Sequence, residues 1–381
     1  MDLKTLQTKS TTTAAELCVA FELGGGKWRL ALSDGRRTRQ VSVGAGDLVA
    51  VMSEVTKTKE KMGLDGARVV SCYEAGRDGF WLHRELVKLG IESMVVDSAS
   101  IEVNRHARRA KTDRLDAQRL VQQLRRYVGG ETQALHVVAV PSVAQEDDRR
   151  LVRQRDVLMK EKKQHESRID SLLALFGLEA PKGRKSNWEK AIEEMKPRGV
   201  EGGEWPPHVK SELLREVGRL KQVLADLAVL EKEREERLKQ PPDKLTQAMT
   251  LMMSLCGVGG ETAWVLGTEF FGWREFENRR QVGAAAGLTP TPHKSSGISY
   301  ELGISKAGNA RVRTLLVEIA WCWLKYQPES ALSKWFYERF AKGSRTRRIG
   351  IVALARRLVV LLWRLVNDGE VPQDVMLKKA A

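Results

Sequence analysis

Cysteine and histidine are scarce in this 381-residue chain, and their scarcity excludes two classes of architecture. The four cysteines, Cys18, Cys72, Cys256 and Cys322, lie far apart, with no pair at disulfide-framework, redox or metal-ligand spacing. They read as buried thiols of a reducing cytosol, which makes the expected localisation cytoplasmic. The six histidines show no clustered ligand pattern, which argues against structural zinc. Long apolar runs are absent too. The best C-terminal candidate, Leu358 to Leu365, is short and carries Arg364, so it cannot span a bilayer. The stretch from Met1 to Thr13 is polar and threonine-rich and lacks the apolar core of a signal peptide.

Positive charge is abundant. The formal net charge is +15, within a chain 42% apolar and 30% charged. These proportions indicate a folded protein of two or three domains whose partner is a polyanion, with nucleic acid the first candidate.

The first region alternates short apolar runs with helical periodicity. Leu17–Phe21, Trp28–Leu32 and Arg39–Val43 read as strands, and Leu48–Met62 as a helix with Leu48, Met52, Val55 and Met62 on one side. Ala67–Cys72, ending at Tyr73-Glu74, and Glu92–Val96 are further strands, separated by a helix over Asp78–Leu89. This is an α/β domain, residues 1–140. Next, Ser142–Phe176 and Val209–Lys239 read as long charged helices flanking a Pro/Gly-rich linker with a helical insert, 177–207. Leu213, Val217, Leu220, Leu224 and Leu227 follow a four-three-four-three spacing, a heptad seam that suits either a helical hairpin or, the preferred reading, a dimerisation element across 141–240. Residues 241–340 form a mostly helical domain, and 341–381 a basic helical tail whose Lys342-Gly-Ser-Arg-Thr-Arg-Arg348, Arg356, Arg357 and Arg364 suit either contacts to a polyanion's backbone or a solvated amphipathic helix closing the domain.

Three segments carry candidate chemistry. In Lys111-Thr-Asp-Arg-Leu-Asp-Ala117 the carboxylates of Asp113 and Asp116 fall three apart on one helical face, amid Arg105, Arg108, Arg109, Lys111 and Arg114. Paired acids in a cationic run suit a divalent metal beside a phosphate backbone, or else a solvated face of alternating charge. In Leu251–Ala263 an apolar helix breaks at Gly257-Val-Gly259 and restarts, as in a helix-hairpin-helix whose glycines admit phosphate to backbone amides, or in an ordinary helix cap and turn. Farther on, Ser295-Ser296-Gly297 lies on a Pro/Gly-punctuated loop ahead of a short β-like stretch, with Lys294, Lys306, Arg311 and Arg313 nearby. A serine there suits a phosphate ligand or a nucleophile, or else an ordinary turn.

Taken in order, Tyr73-Glu-Ala-Gly76, Lys111–Ala117, Gly257-Val-Gly259, Gly287-Leu-Thr-Pro290, Ser295-Ser-Gly297 and Ile304-Ser-Lys-Ala-Gly-Asn309 resemble the DEDD transposases of bacterial insertion sequences, the IS-one-ten group, regarded as bridge-RNA-guided recombinases. The resemblance covers nearly the whole chain. It implies an N-terminal RuvC-like (RNase H-like) domain, a coiled-coil hairpin and a C-terminal transposase domain. It assigns Mg²⁺ to Glu22, Glu74, Asp113 and Asp116, nucleophilic attack to Ser296 with Ser295 as the adjacent alternative, and a site shared between protomers of a dimer or tetramer. Donor and target DNA are then chosen by pairing with a structured RNA. One departure stands out. The family's first acid is usually Asp, whereas Glu22 occupies that place here and is followed by Leu-Gly-Gly-Gly-Lys. The longer side chain changes the reach of a metal ligand. Asp34 and Asp97 are weaker substitutes. Two other activities fit the same residues: a metal-dependent junction nuclease that makes no use of Ser296, and an inactive nucleic-acid-binding derivative.

Overall fold

The computed structural model describes residues 15–102, 113–181, 187–295, 298–341, 343–371 and 374–378, with the side chains of 113 and 292–302 excepted. The chain divides into two compact units, Met1–Val140 and Pro141–Ala381.

The first unit is a five-stranded sheet in the order β3-β2-β1-β4-β5. Strands β1 (Glu16–Leu23), β2 (Lys27–Ser33) and β3 (Thr38–Gly44) form an antiparallel meander. Strands β4 (Arg68–Glu74) and β5 (Glu92–Val96) continue it in parallel from the other side of β1. Alternation along β1 sorts the two faces. Leu17, Val19 and Phe21 pack with residues of α1 (Leu48–Met62) and α2 (Trp81–Lys88). Cys18 and Ala20, joined by Val70 and Cys72 of β4, pack against Ala117, Leu120, Val121 and Leu124 of α3 (Asp113–Val128). The small side chains on that face let α3 lie close to the sheet. Helix α1 begins where the Asp47 carboxylate accepts the Ala50 amide and ends at Gly63 in the left-handed region, φ 67°.

In the second unit α4 (Val143–Ala174) opens on a Ser142/Gln145 capping box and pairs with α6 (Pro207–Leu238). The pair is antiparallel, since Ile169 and Leu173 near the end of α4 meet Leu213 and Val217 near the start of α6, while Arg237 returns to Asp148 at 2.8 Å. The insert forms α5 (Trp188–Glu194), whose Trp188 and Ile192 join that core with Trp205. The heptad seam is therefore consumed within the chain: Leu213, Val217 and Leu220 are buried and Leu224 and Leu227 partly so, which removes the apolar stripe on which the dimerisation reading rested.

The body of the unit gathers α7 (Lys244–Met253), α8 (Gly260–Leu266), a π-helical turn at Gly267–Phe271, α9 (Arg279–Ala285), a β6 (Pro290–Ser295)/β7 (Ile298–Ile304) hairpin, α10 (Ala310–Tyr326), α11 (Ala331–Phe340) and α12 (Ser344–Asp368) around one core. Residues 344–368 are no appended tail. Ile351, Leu354, Leu358, Leu362 and Leu365 of α12 are buried in the centre of that core. Among the described residues no helix is long and apolar enough to cross a membrane. The cysteines depart from the expectation of burial: Cys18 and Cys72 are buried, Cys256 half-buried and Cys322 exposed, all four as free thiols.

Candidate active site

In the first unit the acids converge through register. Phe21 of β1 pairs with Tyr73 of β4, so Glu22 and Glu74 are the next residues on neighbouring parallel strands, at the C-terminal end of both. By alternation they belong to the face that carries Cys18, Ala20, Val70, Cys72 and helix α3. Helix α3 runs so that its start lies at the same end. Arg125, in its last turns, packs against Gly35 in the β2–β3 turn at the opposite end of the sheet, and Gln118 Oε1 accepts the side-chain amide of Gln40 of β3 at 3.3 Å. Asp113 and Asp116, in the first turn of α3, thus stand on the side of Glu22 and Glu74.

Glu74 is exposed, and Glu22 is half-buried opposite Arg29 of β2. Asp116 is the informative member. Its Oδ1 lies 3.8 Å from Arg119, while its Oδ2 is buried without a hydrogen-bond partner. A buried carboxylate oxygen in that condition costs free energy unless a cation or a donor meets it, which fits a metal ligand. Among the described residues no group of three or more acids, histidines or cysteines is closed up at metal distance, and the Asp113 side chain lies outside the description.

The departure at the β1–β2 turn has a local cause. A Cβ on Gly24 would fall 2.5 Å from the Lys27 carbonyl oxygen, so the turn after Glu22 closes only with glycine there. The substitutes are otherwise employed. Asp34 accepts the Arg36 and Arg37 amides at 2.8 and 2.6 Å in the β2–β3 turn, at the far end of the sheet. Asp97 accepts the Ala99 amide at 3.0 Å and lies 3.5 Å from His136.

In the second unit, the loop expected around the serines is a hairpin. Ser295, last residue of β6, pairs with Ile298 of β7; Ser296 and Gly297 lie outside the described residues, as do Arg105, Arg108, Arg109 and Lys111 and the side chain of Lys294. Arg114 and Lys306 are exposed, the latter at φ 56°. Arg313 donates to the Lys306 carbonyl at 3.0 Å. Gly257, φ 91°, packs against Tyr326 of α10, and its neighbour Cys256 donates its amide to Met376 at 3.0 Å, so this turn is built into the body. Gly259 caps α8 through its backbone.

Arg311 is engaged within the unit: its guanidinium is held by Asp156 of α4 and stands 3.7 Å from Glu269. Glu269, on the π-helical turn, has a side chain with 0% exposure and is the centre of a clamp absent from the sequence reading. Arg149 and Arg153 of α4 meet it at 3.0 and 2.9 Å, and the Asn309 amide donates to it at 3.2 Å. Burial pushes the Glu269 carboxyl up, but the Arg153 hydrogen bond and the charges of Arg149 and Arg153 outweigh it and hold the group below the usual carboxylate range. Asn309 also caps α10 by accepting the Arg311 and Val312 amides. The clamp therefore fixes the start of α10, just past the serine hairpin, to α4. The only sequence signal was a lone acid inside the apolar run Trp264–Phe271.

The model of the family described as Transposase IS116/IS110/IS902 matches residues 249–334, the stretch from α7 to α11 that holds Glu269, the hairpin and Asn309. The chain is 38% identical over 375 residues to putative transposase y4rJ of Sinorhizobium fredii, covering 94% of each chain. It is 26% identical over 294 residues to the transposase for insertion sequence element IS1111A of Coxiella burnetii, covering 76% of this chain and 75% of the relative. It is 28% identical over 269 residues to the transposase for insertion sequence element IS1328 of Yersinia enterocolitica, 68% and 73% respectively. The molecule is accordingly an enzyme acting on DNA, a transposase. It belongs to the IS116/IS110/IS902 family.

Proposed function

We propose that this transposase inserts and excises its element by serine recombination, with DNA sites chosen by a structured guide RNA. The acidic end of the sheet would hold Mg²⁺ through Glu22, Glu74, Asp113 and Asp116, and the observation that carries this reading is the buried, unpartnered Oδ2 of Asp116 on the face shared with the two glutamates. The bound metal supplies charge neutralisation at the phosphate oxygens. Ser296 Oγ forms the new bond to phosphorus, and the sugar oxygen departs to become a free hydroxyl. The exposed Arg114 and Lys306 would steady the phosphate backbone.

Sheet order, with an antiparallel meander leading into a parallel pair, supports the RuvC-like reading of the first unit. Gly257, at φ 91°, and Gly259, at the start of α8, would bring backbone close to phosphate. Strand exchange needs more than one protomer, and a composite site assembled from two copies satisfies that need without the heptad seam. The surplus of arginine and lysine over several segments suits recognition of nucleic-acid shape more than base reading by one helix.

The test incubates the full-length protein with the RNA transcribed from its element, labelled donor and target DNA, and Mg²⁺, and resolves products on denaturing gels with and without protease. A protease-sensitive adduct in wild type that vanishes in Ser296→Ala supports serine chemistry. Cutting without an adduct, unchanged in that variant, refutes it and leaves a metal-dependent nuclease. Binding without cutting points to an inactive derivative, with Glu22→Asp the variant to restore activity.

A further inference from the structure

The second unit contains a cleft of about 1430 Å³ between α9, the base of the β6–β7 hairpin, α11 and α12. This exceeds the roughly 300–1,000 Å³ of a small-molecule site and suits a polymer segment. Its chemistry is divided. Arg279, Arg280, Arg348, Arg356, Arg357 and Arg364 line it, and among the described residues none of the six is in a salt bridge. Of the two acids in the lining, Asp374 accepts the Ala331 amide at the start of α11, leaving Glu370 as the other charge of opposite sign.

The floor, by contrast, is apolar: Trp335, Val352, Val360 and Leu361. Ile349 and Val371 stand at the lining with 55% and 39% of their surface exposed, although both are large and apolar. Helix α12 makes both halves. One stripe enters the core through Leu354, Leu358 and Leu362, while Arg348, Val352, Arg356, Val360 and Arg364, four apart, face the cleft. The Arg357 guanidinium lies 3.8 Å from the centre of the Trp335 ring, and burial together with Arg339 lowers its pKa. A planar cation on an indole offers its second face to another flat group.

Unpaired arginines around an aromatic and aliphatic floor require a ligand that is anionic at its edge and flat and apolar within. We propose that this cleft binds an unpaired, single-stranded segment of nucleic acid, with phosphates on the arginine rim and a base stacked over the Arg357–Trp335 pair. Duplex DNA would satisfy the rim alone, since its base faces are covered. An acidic peptide would satisfy the rim without using the stacked pair. The inference deepens the nucleic-acid reading above and rests on it.

The experiment measures binding of full-length protein to short labelled single-stranded DNA, single-stranded RNA and duplex DNA of one sequence. Two variants are compared with wild type: Arg348→Gln/Arg364→Gln, both exposed positions, and Trp335→Leu, with a thermal melt to confirm folding. Trp335→Leu is expected to lose about tenfold in single-strand affinity and less than about twofold on duplex, whereas Arg348→Gln/Arg364→Gln is expected to lose about tenfold on single strands and to weaken duplex as well, since duplex reaches the rim. Iodouridine-substituted strands should photocrosslink to the peptide containing Trp335. A preference for either sugar supports the cleft and names the source of the strand. Equal losses on duplex and single strands in Trp335→Leu, or no loss on either single strand in both variants, overturn the proposal. Adduct formation is read in parallel. Wild-type adduct with cleft variants that bind like wild type refutes the cleft alone, while cleft-dependent binding without adduct refutes the serine chemistry alone.

Discussion

Glu269→Gln removes one negative charge while keeping the size and an acceptor oxygen, so it tests the clamp with little change of shape. The glutamate has 0% exposure and Arg149 11%, whereas Arg153 and Arg311 are 41% and 35% exposed and draw part of their solvation from water. Breaking a buried ion pair from one side costs about 3–5 kcal/mol, and the exposure of two partners places this one near the lower end. At about 2–4 °C per kcal/mol for a unit of this size, the melting transition should fall by roughly 6–12 °C. Tryptophan fluorescence reports it, since only Trp28 and Trp81 of the ten lie outside the second unit. The sign with pH follows from the depressed Glu269 pKa. Its stabilisation is full above the unfolded carboxylate pKa, about 4.3, and is lost as pH falls through the lower folded value. The acid limb of the stability curve should therefore flatten in the variant. Replacing Glu269, Arg149 and Arg153 together by leucine should recover most of the loss, because apolar packing substitutes for a compensated charge cluster. A shift of less than about 2 °C in Glu269→Gln, or a triple variant no more stable than the single one, would refute the assignment of the clamp as a buried, mutually dependent charge cluster.

Two further outcomes follow from packing and exposure. Gly308→Ala should cost about 3 kcal/mol in denaturant unfolding, because φ is 102° and the new Cβ would lie 2.3 Å from the Ala285 carbonyl oxygen; Gly369→Ala, at φ 69° with nothing within 4 Å, should cost only about 1 kcal/mol. Equal costs would show that the close approach contributes nothing. In the native protein Cys322 should take a maleimide readily, whereas Cys18, whose thiol burial pushes up to about 11, and the fully buried Cys72 should react only on unfolding; mass spectrometry that finds Cys72 modified as fast as Cys322 would contradict the packing of α3 on the sheet.

Local periodicity carried much of the first unit. The expected helix Leu48–Met62 coincides with α1, and Leu17–Phe21 lies within β1, because apolar alternation and a helical stripe are both set by near neighbours. The convergence of Glu22 and Glu74 was legible only through the family resemblance, since register between β1 and β4 depends on residues some fifty positions apart. The serine hairpin was read as a loop for a physical reason. Pro290 and Pro292 interrupt the alternation of β6, and the register shifts between them, which a two-stranded ribbon tolerates where a central strand would not. The heptad seam was visible, but its partner was not: a four-three spacing specifies an apolar stripe, whereas the covering residues Ile169 and Leu173 come from the other arm of the same hairpin.

Charge shows the same division between what composition carries and what only contact reveals. A surplus of +15 points to a polyanion without saying which arginines meet it. The structure separates them by compensation. Arg149, Arg153 and Arg311 are gathered on Glu269, Arg155 and Arg234 share Glu231 and Glu261, and Arg237 is held by Asp148 and Asp243. These tie α4 and α6 to the body and have little charge left to attract a strand. Among the described residues the arginines of the α12 cleft have no such partners, and they surround apolar surface that water covers at a cost. Two kinds of unfinished surface in one place narrow the ligand further than either does, because phosphate alone would leave the floor bare and a hydrocarbon would leave the rim uncompensated. At the cleft bordering the serine hairpin, uncompensated arginines and exposed apolar surface thus coincide among the described residues.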